Sequence, residues 1–338
     1  MSDLSMEEIV KQVGDFVIRN YKLEPLNIDL IEDGIASINY YVRTKTDHFI
    51  IRYDQRRSPD LVDSDKNYIL AAKNSGVNVP PMPILVEEFF GKAISGRRAI
   101  TGETLSQATC TNEIIKNAGK QLGLIHTATS PSNNNGRKFF YNFVFDTNDF
   151  RWEDIFRYAC NHPYLSIKSI SINIANEISS LGKELIASGL LGDGLTHGDY
   201  TFSNLLVDDY SQLVILDWEK SCKAFPIYDL GLGLFYLVCG GGAFRPDIIP
   251  VFLHGYFSSN TSLFKTPEIL ASTIDVAVKA FFLMDTTFVA KDIACIGISS
   301  LSRRQKFFET FCWPSYKIYE DNKRVIQKTL YNCIQELD

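Results

Sequence analysis

The sequence predicts an α+β protein with two lobes, in which a small β-rich lobe precedes a large and mainly helical one. The first hundred residues contain five short apolar runs typical of strands and two stretches with helical spacing. The remaining residues repeat apolar side chains at helical spacing and contain one strong β signal, a hairpin near residue 210. We therefore divide the chain into residues 1–101 and 102–338, joined by a single extended hinge around residues 98–102.

The small lobe is expected to begin with a helix. Ser5 and Glu8 have the spacing of a capping box, and apolar residues then recur at helical intervals as far as Tyr21. A second helix is expected at residues 60–73, because the run Asn74-Ser-Gly that follows favours a helix end. The strands of this lobe are predicted at residues 26–31, 40–43, 49–53, 84–86 and 93–100.

The large lobe is expected to be built from helices around one hairpin. The hairpin joins residues 204–207 to residues 213–217, since Asp208, Asp209 and Ser211 between them favour a turn. The helices are predicted at residues 114–126, 152–159, 169–187, 229–238, 246–257 and 267–288, and from residue 302 to the C-terminus.

Composition excludes several classes of protein. The 338 residues are 45% hydrophobic and 22% charged, with a net charge of -6 and no long Lys/Arg run, which argues against binding to nucleic acid. No apolar run approaches the length of about eighteen residues that a membrane helix needs, and the N-terminus lacks the pattern of a secretory signal. The seven cysteines are scattered and odd in number, so neither disulfides nor a zinc site is expected. We expect a cytoplasmic protein.

The predicted hairpin brings three polar side chains together. Asn204 begins its first strand and Asp217 ends its second, so these two residues should meet, and Asp199 lies in the loop just before the hairpin. Mg²⁺ prefers hard oxygen ligands and usually takes one or two carboxylates from a protein. The arrangement therefore predicts phosphoryl transfer, with Asn204 and Asp217 as magnesium ligands and Asp199 accepting the proton of an attacking hydroxyl.

The same spacing is typical of protein kinases, which carry H-R-D-x-x-x-x-N and then a magnesium-binding Asp. Here Gly198 replaces the Arg, and Trp218-Glu219 replaces the Phe-Gly that follows the Asp. With these differences, residues 196–219 resemble the aminoglycoside phosphotransferase and choline kinase superfamily, small-molecule kinases with a protein-kinase-like fold. The resemblance implies the same two-lobed fold, ATP as the phosphate donor and Mg²⁺ as the cofactor. It also implies that Asp199 is the catalytic carboxylate.

The resemblance further implies a set of nucleotide-binding residues. Ser37 and Asn39 lie where the family has its nucleotide-covering loop, in the segment that begins at Gly34. Arg52, in an apolar strand, matches the cation that contacts the donor phosphates. The acid that pairs with this cation falls on Asp65, one methylene shorter than the usual Glu, and Asp63 is the alternative.

The hinge and several polar side chains near the motif receive supporting roles. The backbone of Ala99, Ile100 and Thr101 is expected to bind the edge of the adenine. His197 is expected to orient the catalytic loop, and His126 to be a core histidine. Asp229 is expected to N-cap the helix that follows it, and the resemblance implies that it also braces the catalytic loop. Glu219 matches choline kinases better than aminoglycoside enzymes.

The acceptor is expected to be a small hydroxylated molecule, such as an aminoglycoside-like antibiotic, an amino-alcohol or a similar metabolite. We hypothesise that it carries an amine and binds between the catalytic loop and the last helices, near Asp285, Trp313 and Tyr316. A pseudokinase-like regulatory module is the competing interpretation, although neither the catalytic Asp nor a metal ligand is missing. The sequence leaves open the preference for ATP or GTP and the oligomeric state.

Overall fold

The small lobe is a five-stranded antiparallel sheet with one long helix packed against it. Its strands follow the order β1-β2-β3-β5-β4. The elements are α1 (Met6–Tyr21), β1 (Pro25–Ile31), β2 (Ile38–Thr44), β3 (His48–Asp54), α2 (Pro59–Asn74), β4 (Leu85–Phe89) and β5 (Lys92–Arg98). The computed structural model describes residues 5–31, 37–106, 109–131, 140–189, 192–260, 267–296 and 303–336.

Helix α1 forms for the reasons that its sequence suggests. The Ser5 hydroxyl accepts the amide of Glu8 at 3.2 Å, and the Glu8 carboxylate accepts the amide of Ser5 at 2.8 Å, so the predicted capping box is confirmed. Its apolar stripe is buried and faces the sheet. This packing makes the core of the small lobe, which includes Phe16, Phe49 and Ile51.

The chain crosses into the large lobe through residues 99–101 and at once joins the predicted hairpin. A short strand, β6 (Gly102–Thr104), pairs with β8 (Leu205–Asp208), which pairs in turn with β9 (Leu213–Ile215). The hinge is therefore tied by main-chain hydrogen bonds to the hairpin that carries the motif.

The rest of the large lobe is mainly helical, as expected. Two further short strands, β7 (Gly194–Thr196) and β10 (Cys222–Ala224), pair with each other on either side of the hairpin. The helices are α3 (Asn112–Thr127), α4 (Arg151–Arg157), α5 (Leu165–Ala187), α6 (Pro226–Cys239), α7 (Ile248–Phe257), α8 (Pro267–Ile296), α9 (Arg303–Phe307) and α10 (Trp313–Gln335). The α+β class and the two-lobed architecture are confirmed.

The prediction differs from the structure mainly in short elements and helix ends. Strands β6, β7 and β10 were not predicted, because three residues are too few to show alternation. The predicted C-terminal helix is divided by a π-helical turn at Phe308–Cys312. Helix α8 runs on to Ile296, beyond the predicted end at residue 288.

Two hydrophobic clusters lie within the described residues. The smaller belongs to the β-sheet and α1, and the larger holds the helical lobe together. The buried face of α2, with Tyr68, Ile69 and Ala72, belongs to the larger cluster although α2 precedes the hinge in sequence. The division of the chain at residue 101 stays a prediction.

Helices α3 and α7 cross at unusually close range. A Cβ atom on Gly119 would lie 2.0 Å from the Phe252 carbonyl oxygen, and one on Gly255 would lie 1.9 Å from the Lys116 carbonyl oxygen. Glycine at both positions is therefore what allows the two backbones to touch. None of the helices in the described ranges combines the length and apolar character needed to cross a membrane.

Candidate active site

The hairpin brings Asn204 and the segment leading to Asp217 together. Leu205 pairs with Ile215, and the Leu216 amide donates to the Asn204 carbonyl at 2.8 Å. Asp217, the next residue, has a φ of 54°. This left-handed backbone is rare for a residue with a side chain and is enriched at functional sites.

Asn204 also fixes the loop that carries Asp199. Its side-chain amide nitrogen donates to the Asp199 carbonyl at 2.9 Å. The Asn204 side-chain oxygen is then the atom left for another partner. One asparagine thus connects the start of the hairpin to the loop before it, as the motif spacing predicts.

Asp229 braces the loop that carries Asp199. Its carboxylate accepts the amides of His197 at 2.7 Å and Gly198 at 2.9 Å, and it accepts from His126 Nε2 at 3.1 Å. Burial raises the pKa of this carboxyl group, but the hydrogen bond and charge of His126, with His197, hold it below its usual value. The bracing interpretation is confirmed; the capping interpretation is wrong, because α6 begins at Pro226 and Asp229 lies inside it.

The two histidines have structural partners. His126 is buried between Asp229 and the Tyr256 hydroxyl, which lies 2.7 Å from Nδ1. His197 Nδ1 accepts the Asp199 amide at 3.3 Å, so its Nε2 donates to the Leu216 carbonyl at 2.8 Å. Both ring nitrogens of His197 therefore hydrogen-bond to backbone groups, which agrees with the role of orienting the loop.

Lys220 is a cation of the site that the motif did not identify. Its ammonium nitrogen lies 3.0 Å from Asp199 Oδ2 and 5.3 Å from the centre of the Phe140 ring. Burial opposes its charge, but Asp199, with smaller effects of Glu219 and Asp217, raises the pKa of Lys220 above its usual value. A charged lysine thus contacts the predicted catalytic carboxylate.

Gly198 makes room for Lys220. Its φ is 79°, and a Cβ atom there would lie 2.7 Å from the Lys220 carbonyl oxygen. The pairing of β7 with β10 and a hydrogen bond from the Ser221 hydroxyl to the His197 carbonyl, 3.2 Å long, hold the two segments together. A larger residue at position 198 would push Lys220 away from the loop.

Arg52 reaches from the small lobe to the end of the hairpin. Its guanidinium lies 3.5 Å from Asp217 Oδ1 and 3.6 Å from Asp54 Oδ2, and it contacts Glu219 more closely still. Burial opposes the charge, but these three carboxylates raise the pKa of Arg52. Arg52 and Asp217 therefore lie together, and their roles as a phosphate-binding cation and a metal ligand stay predictions.

The pairing predicted between Arg52 and Asp65 is not the one that forms. Asp65 instead makes two hydrogen bonds to the guanidinium of Arg57, at 2.8 and 3.0 Å, and Asp63 pairs with Lys66. Arg57 lies in the turn before α2 and is closer to the short side chain of Asp65. Arg52 takes its partners from β3 and from the segment after the hairpin.

The remaining predicted nucleotide-binding residues lie at the start of β2 and between β5 and β6. Asn39 is paired with Arg52 across β2 and β3, and Ser37 lies just before β2. The neighbouring Gly34, Ile35 and Ala36 lie outside the described residues. At the hinge the Ala99 amide already donates to the His48 carbonyl at 2.8 Å. Ile100 and Thr101 lie between β5 and β6, as predicted for the hinge. Nucleotide binding at all of these positions stays a prediction.

Asp285, from α8, faces the same site from the large lobe. Its Oδ2 atom is buried without a hydrogen-bond partner in the described part of the chain. Burial, countered by Lys220 and Arg304, raises the pKa of Asp285 to about 6. Tyr316 and Trp313, which were predicted beside it, pack against Phe282 in the helical core, with ring centres 4.2 and 5.7 Å from the Phe282 ring.

Known proteins resemble this chain over nearly its whole length. A spectinomycin phosphotransferase solved with ADP and spectinomycin has 18% identity and a TM-score of 0.64, covering 96% of this chain and 98% of its own. Choline kinase from Cryptosporidium parvum has 16% identity and a TM-score of 0.62, covering 96% and 97%. An amicoumacin kinase solved with AMP-PNP, Ca²⁺ and amicoumacin has 14% identity and a TM-score of 0.62, covering 94% and 96%.

The family is identified by sequence. No curated protein matches the chain. A model of the phosphotransferase enzyme family, APH, matches residues 27–262, which is more than half of the chain and includes the whole motif. The chain belongs to this phosphotransferase family, and its fold is that of the aminoglycoside phosphotransferases and the choline and ethanolamine kinases.

Proposed function

We propose that the protein transfers the γ-phosphate of ATP to a hydroxyl group of a small molecule. The observation that carries this proposal is that Asn204 hydrogen-bonds both to the Asp199 backbone and to Leu216, the residue before Asp217, while Arg52 lies beside Asp217. Phosphoryl transfer depends mostly on positioning and on neutralising charge, and this unit provides both. The nucleotides bound by related folds, ADP and AMP-PNP, support the choice of donor.

The residues present fit a magnesium ion. No group of three or more Asp, Glu, His or Cys side chains suited to a metal occurs in the part of the chain that is described. Mg²⁺ does not need one, because it keeps several waters and takes the rest of its ligands from phosphate. Asp217 and the free oxygen of Asn204 would hold it. When bound, the ion would neutralise charge on the donor phosphates.

Three side chains of the site then have separate roles in the transfer. Asp199 holds the acceptor hydroxyl in line and accepts its proton as the acceptor oxygen bonds to the γ-phosphorus. The bond from this phosphorus to the β,γ-bridging oxygen breaks, and its electron pair leaves with the nucleoside diphosphate. Arg52 steadies the donor phosphates from the small lobe, and Asp229 keeps the loop of Asp199 rigid.

The acceptor is proposed to approach Asp199 from the large lobe, beside Asp285. An ammonium group of the acceptor would pair with the unpartnered Oδ2 of Asp285. Lys220 and Arg304 act on the same carboxyl group and oppose a further cation. Binding of an amine therefore requires ionised Asp285, and it should strengthen as the pH rises through about 6. Spectinomycin and amicoumacin, bound by related folds, define the size of molecule to test.

The proposal is tested by measuring nucleotide consumption with a panel of hydroxylated antibiotics, amino-alcohols and sugars. The expected result is magnesium-dependent formation of nucleoside diphosphate and of one phosphorylated acceptor. Binding of Mg–nucleotide without transfer to any acceptor would favour a regulatory module. Turnover restricted to neutral or anionic acceptors would refute the amine.

A further inference from the structure

Arg97 projects into the cleft between the lobes. Residues directly paired in an antiparallel sheet point to the same face, and the register pairs Arg97 with Ile50 and Ser95 with Arg52. Arg52 identifies this face as the cleft side, because it contacts Asp217 in the large lobe. Arg97 therefore lies on the same face as Arg52, one register row nearer the hinge.

The opposite face of the same strand is covered. Gly96 and Ile94 alternate with Arg97, and Ile94 is buried in the small-lobe core. A Cβ atom on Gly96 would lie 2.4 Å from the Phe16 ring of α1. Helix α1 thus fills that side of β5 and leaves the cleft as the place for the Arg97 side chain.

Arg97 has no acceptor for its five N–H groups in the described part of the chain. No carboxylate there lies within 4.0 Å of its guanidinium, and no hydrogen bond satisfies it. Burial lowers its pKa to about 10, an effect that the more distant charge of Asp217 only partly offsets. Arg97 is half-buried, and a bound ligand with acceptor atoms would exchange the water around this guanidinium for direct hydrogen bonds.

The position of Arg97 corresponds to the base end of a bound nucleotide. Arg97 comes two residues before Ala99, where the hinge backbone would border the base. One register row is about 7 Å along a strand, so Arg97 lies about that far from the row of Arg52, at the phosphate end. The acceptor atoms nearest to Arg97 should accordingly belong to the base.

We propose, on the basis of the phosphotransferase function above, that Arg97 selects a 6-oxopurine base in the donor nucleotide. Guanine and hypoxanthine present O6 and N7 as two adjacent acceptors, which a guanidinium contacts through two hydrogen bonds. Adenine carries an amino group where these bases carry O6. The N–H donors of that amino group would meet the N–H donors of the arginine, so the two hydrogen bonds cannot both form. GTP is then a better donor than ATP, and the remainder of the mechanism is unchanged.

The test measures the affinities of ADP, GDP and inosine diphosphate in the presence of Mg²⁺ by calorimetry, with no acceptor present. The wild-type protein should bind GDP and inosine diphosphate about 10- to 100-fold more tightly than ADP, as expected for one bidentate contact. Arg97→Met should remove this preference by weakening both 6-oxopurine nucleotides while leaving ADP unchanged or tighter. Arg97→Lys keeps the positive charge but lacks the two parallel N–H donors of a guanidinium. This variant should lose most of the preference for GDP and inosine diphosphate.

Arg98→Met is the matched control. Arg98 is the next residue on the same strand, is 65% exposed and pairs with Asp47 at 2.9 Å on the other face. This variant should keep the wild-type preference. Thermal unfolding without nucleotide should show that Arg97→Met is at least as stable as the wild type, because no ion pair is lost.

Three outcomes would overturn the inference or its basis. Equal affinities for ADP and GDP in the wild type would contradict selection by Arg97. If Arg97→Met lowered the affinities for all three nucleotides equally, Arg97 would contact the phosphates, which the three share, and not the base. A wild-type protein that binds none of the three would instead refute the proposed phosphotransferase function.

Discussion

The pair formed by Gly198 and Lys220 gives a physical reason for one departure from the protein-kinase motif. The lysine backbone occupies the space that a side chain at position 198 would need, with its carbonyl oxygen 2.7 Å from a Cβ placed there. The glycine is therefore required by packing as well as by its positive φ. The lysine that it admits lies 3.0 Å from Asp199.

Lys220→Met should lower kcat by about 10²-fold, with little change in the KM for the nucleotide. The ion pair holds the Asp199 carboxylate in one orientation, and a displacement of about 1 Å in a catalytic group can cost this much. Steady-state kinetics would measure it. Lys223→Met is the control, since Lys223 pairs with the exposed Asp193 at 3.1 Å and lies on the neighbouring β10. Equal kcat in both variants would show that Lys220 does not support catalysis.

Asp285→Asn should stabilise the protein at neutral pH but not in acid. The pKa of Asp285 is raised from 3.8 to about 6, so its stabilising contribution is present below pH 3.8 and is lost as the pH rises through about 6. A shift of about 2 units corresponds to at most about 3 kcal/mol. Denaturant unfolding at pH 4.5 and 7.5 would measure the difference between variant and wild type.

The exposed turn residue Asp209 supplies the control for that experiment. Asp209→Asn should change stability similarly at the two pH values, because its carboxyl group is in solvent. A stability gain for Asp285→Asn that does not grow with pH would contradict the assignment of Asp285 as a carboxyl group whose pKa is raised by burial.

At the scale of elements, the short strands β7 and β10 are what hold the motif in shape. They pair Thr196 with Cys222 and thereby place the segment after Asp217 beside the loop of Asp199. Each has three residues, so neither has a pattern that could be recognised in the sequence. The hairpin alone would orient Asn204 and Asp217, but it would not bring Lys220 to Asp199.

Gly119→Ala should destabilise the fold by about 3 kcal/mol. The added methyl group would lie 2.0 Å from the Phe252 carbonyl oxygen, so α3 and α7 would have to separate. Gly14→Ala, in the middle of α1, is the matched control, because its methyl group would make an ordinary contact 3.5 Å from Ile28. That change should stabilise the protein by about 0.5–1 kcal/mol through helix propensity. Chemical denaturation of both variants tests the pair, and similar effects would contradict the close crossing.

Across the whole molecule, the sequence predicted what depends on repeated or local patterns. The long helices, the five-stranded lobe and the hairpin follow from apolar spacing and turn residues, and all are present. The partners of Arg52 and Asp65 were predicted wrongly, because ion pairs depend on which side chains meet in space. Lys220 and Arg97 belong to no spacing pattern, and only the packing of the lobes reveals their positions.

The central claim is that Asp199 orients and deprotonates the acceptor hydroxyl and does not bind the nucleotide. Asp199→Asn keeps the shape of the side chain but removes the base, so kcat for the acceptor found in the panel should fall by about 10³-fold. The affinity for Mg–nucleotide, measured by calorimetry with ATP and GTP, should stay within about twofold of the wild type. Turnover comparable to the wild type in Asp199→Asn, in a protein that still binds nucleotide, would contradict the account.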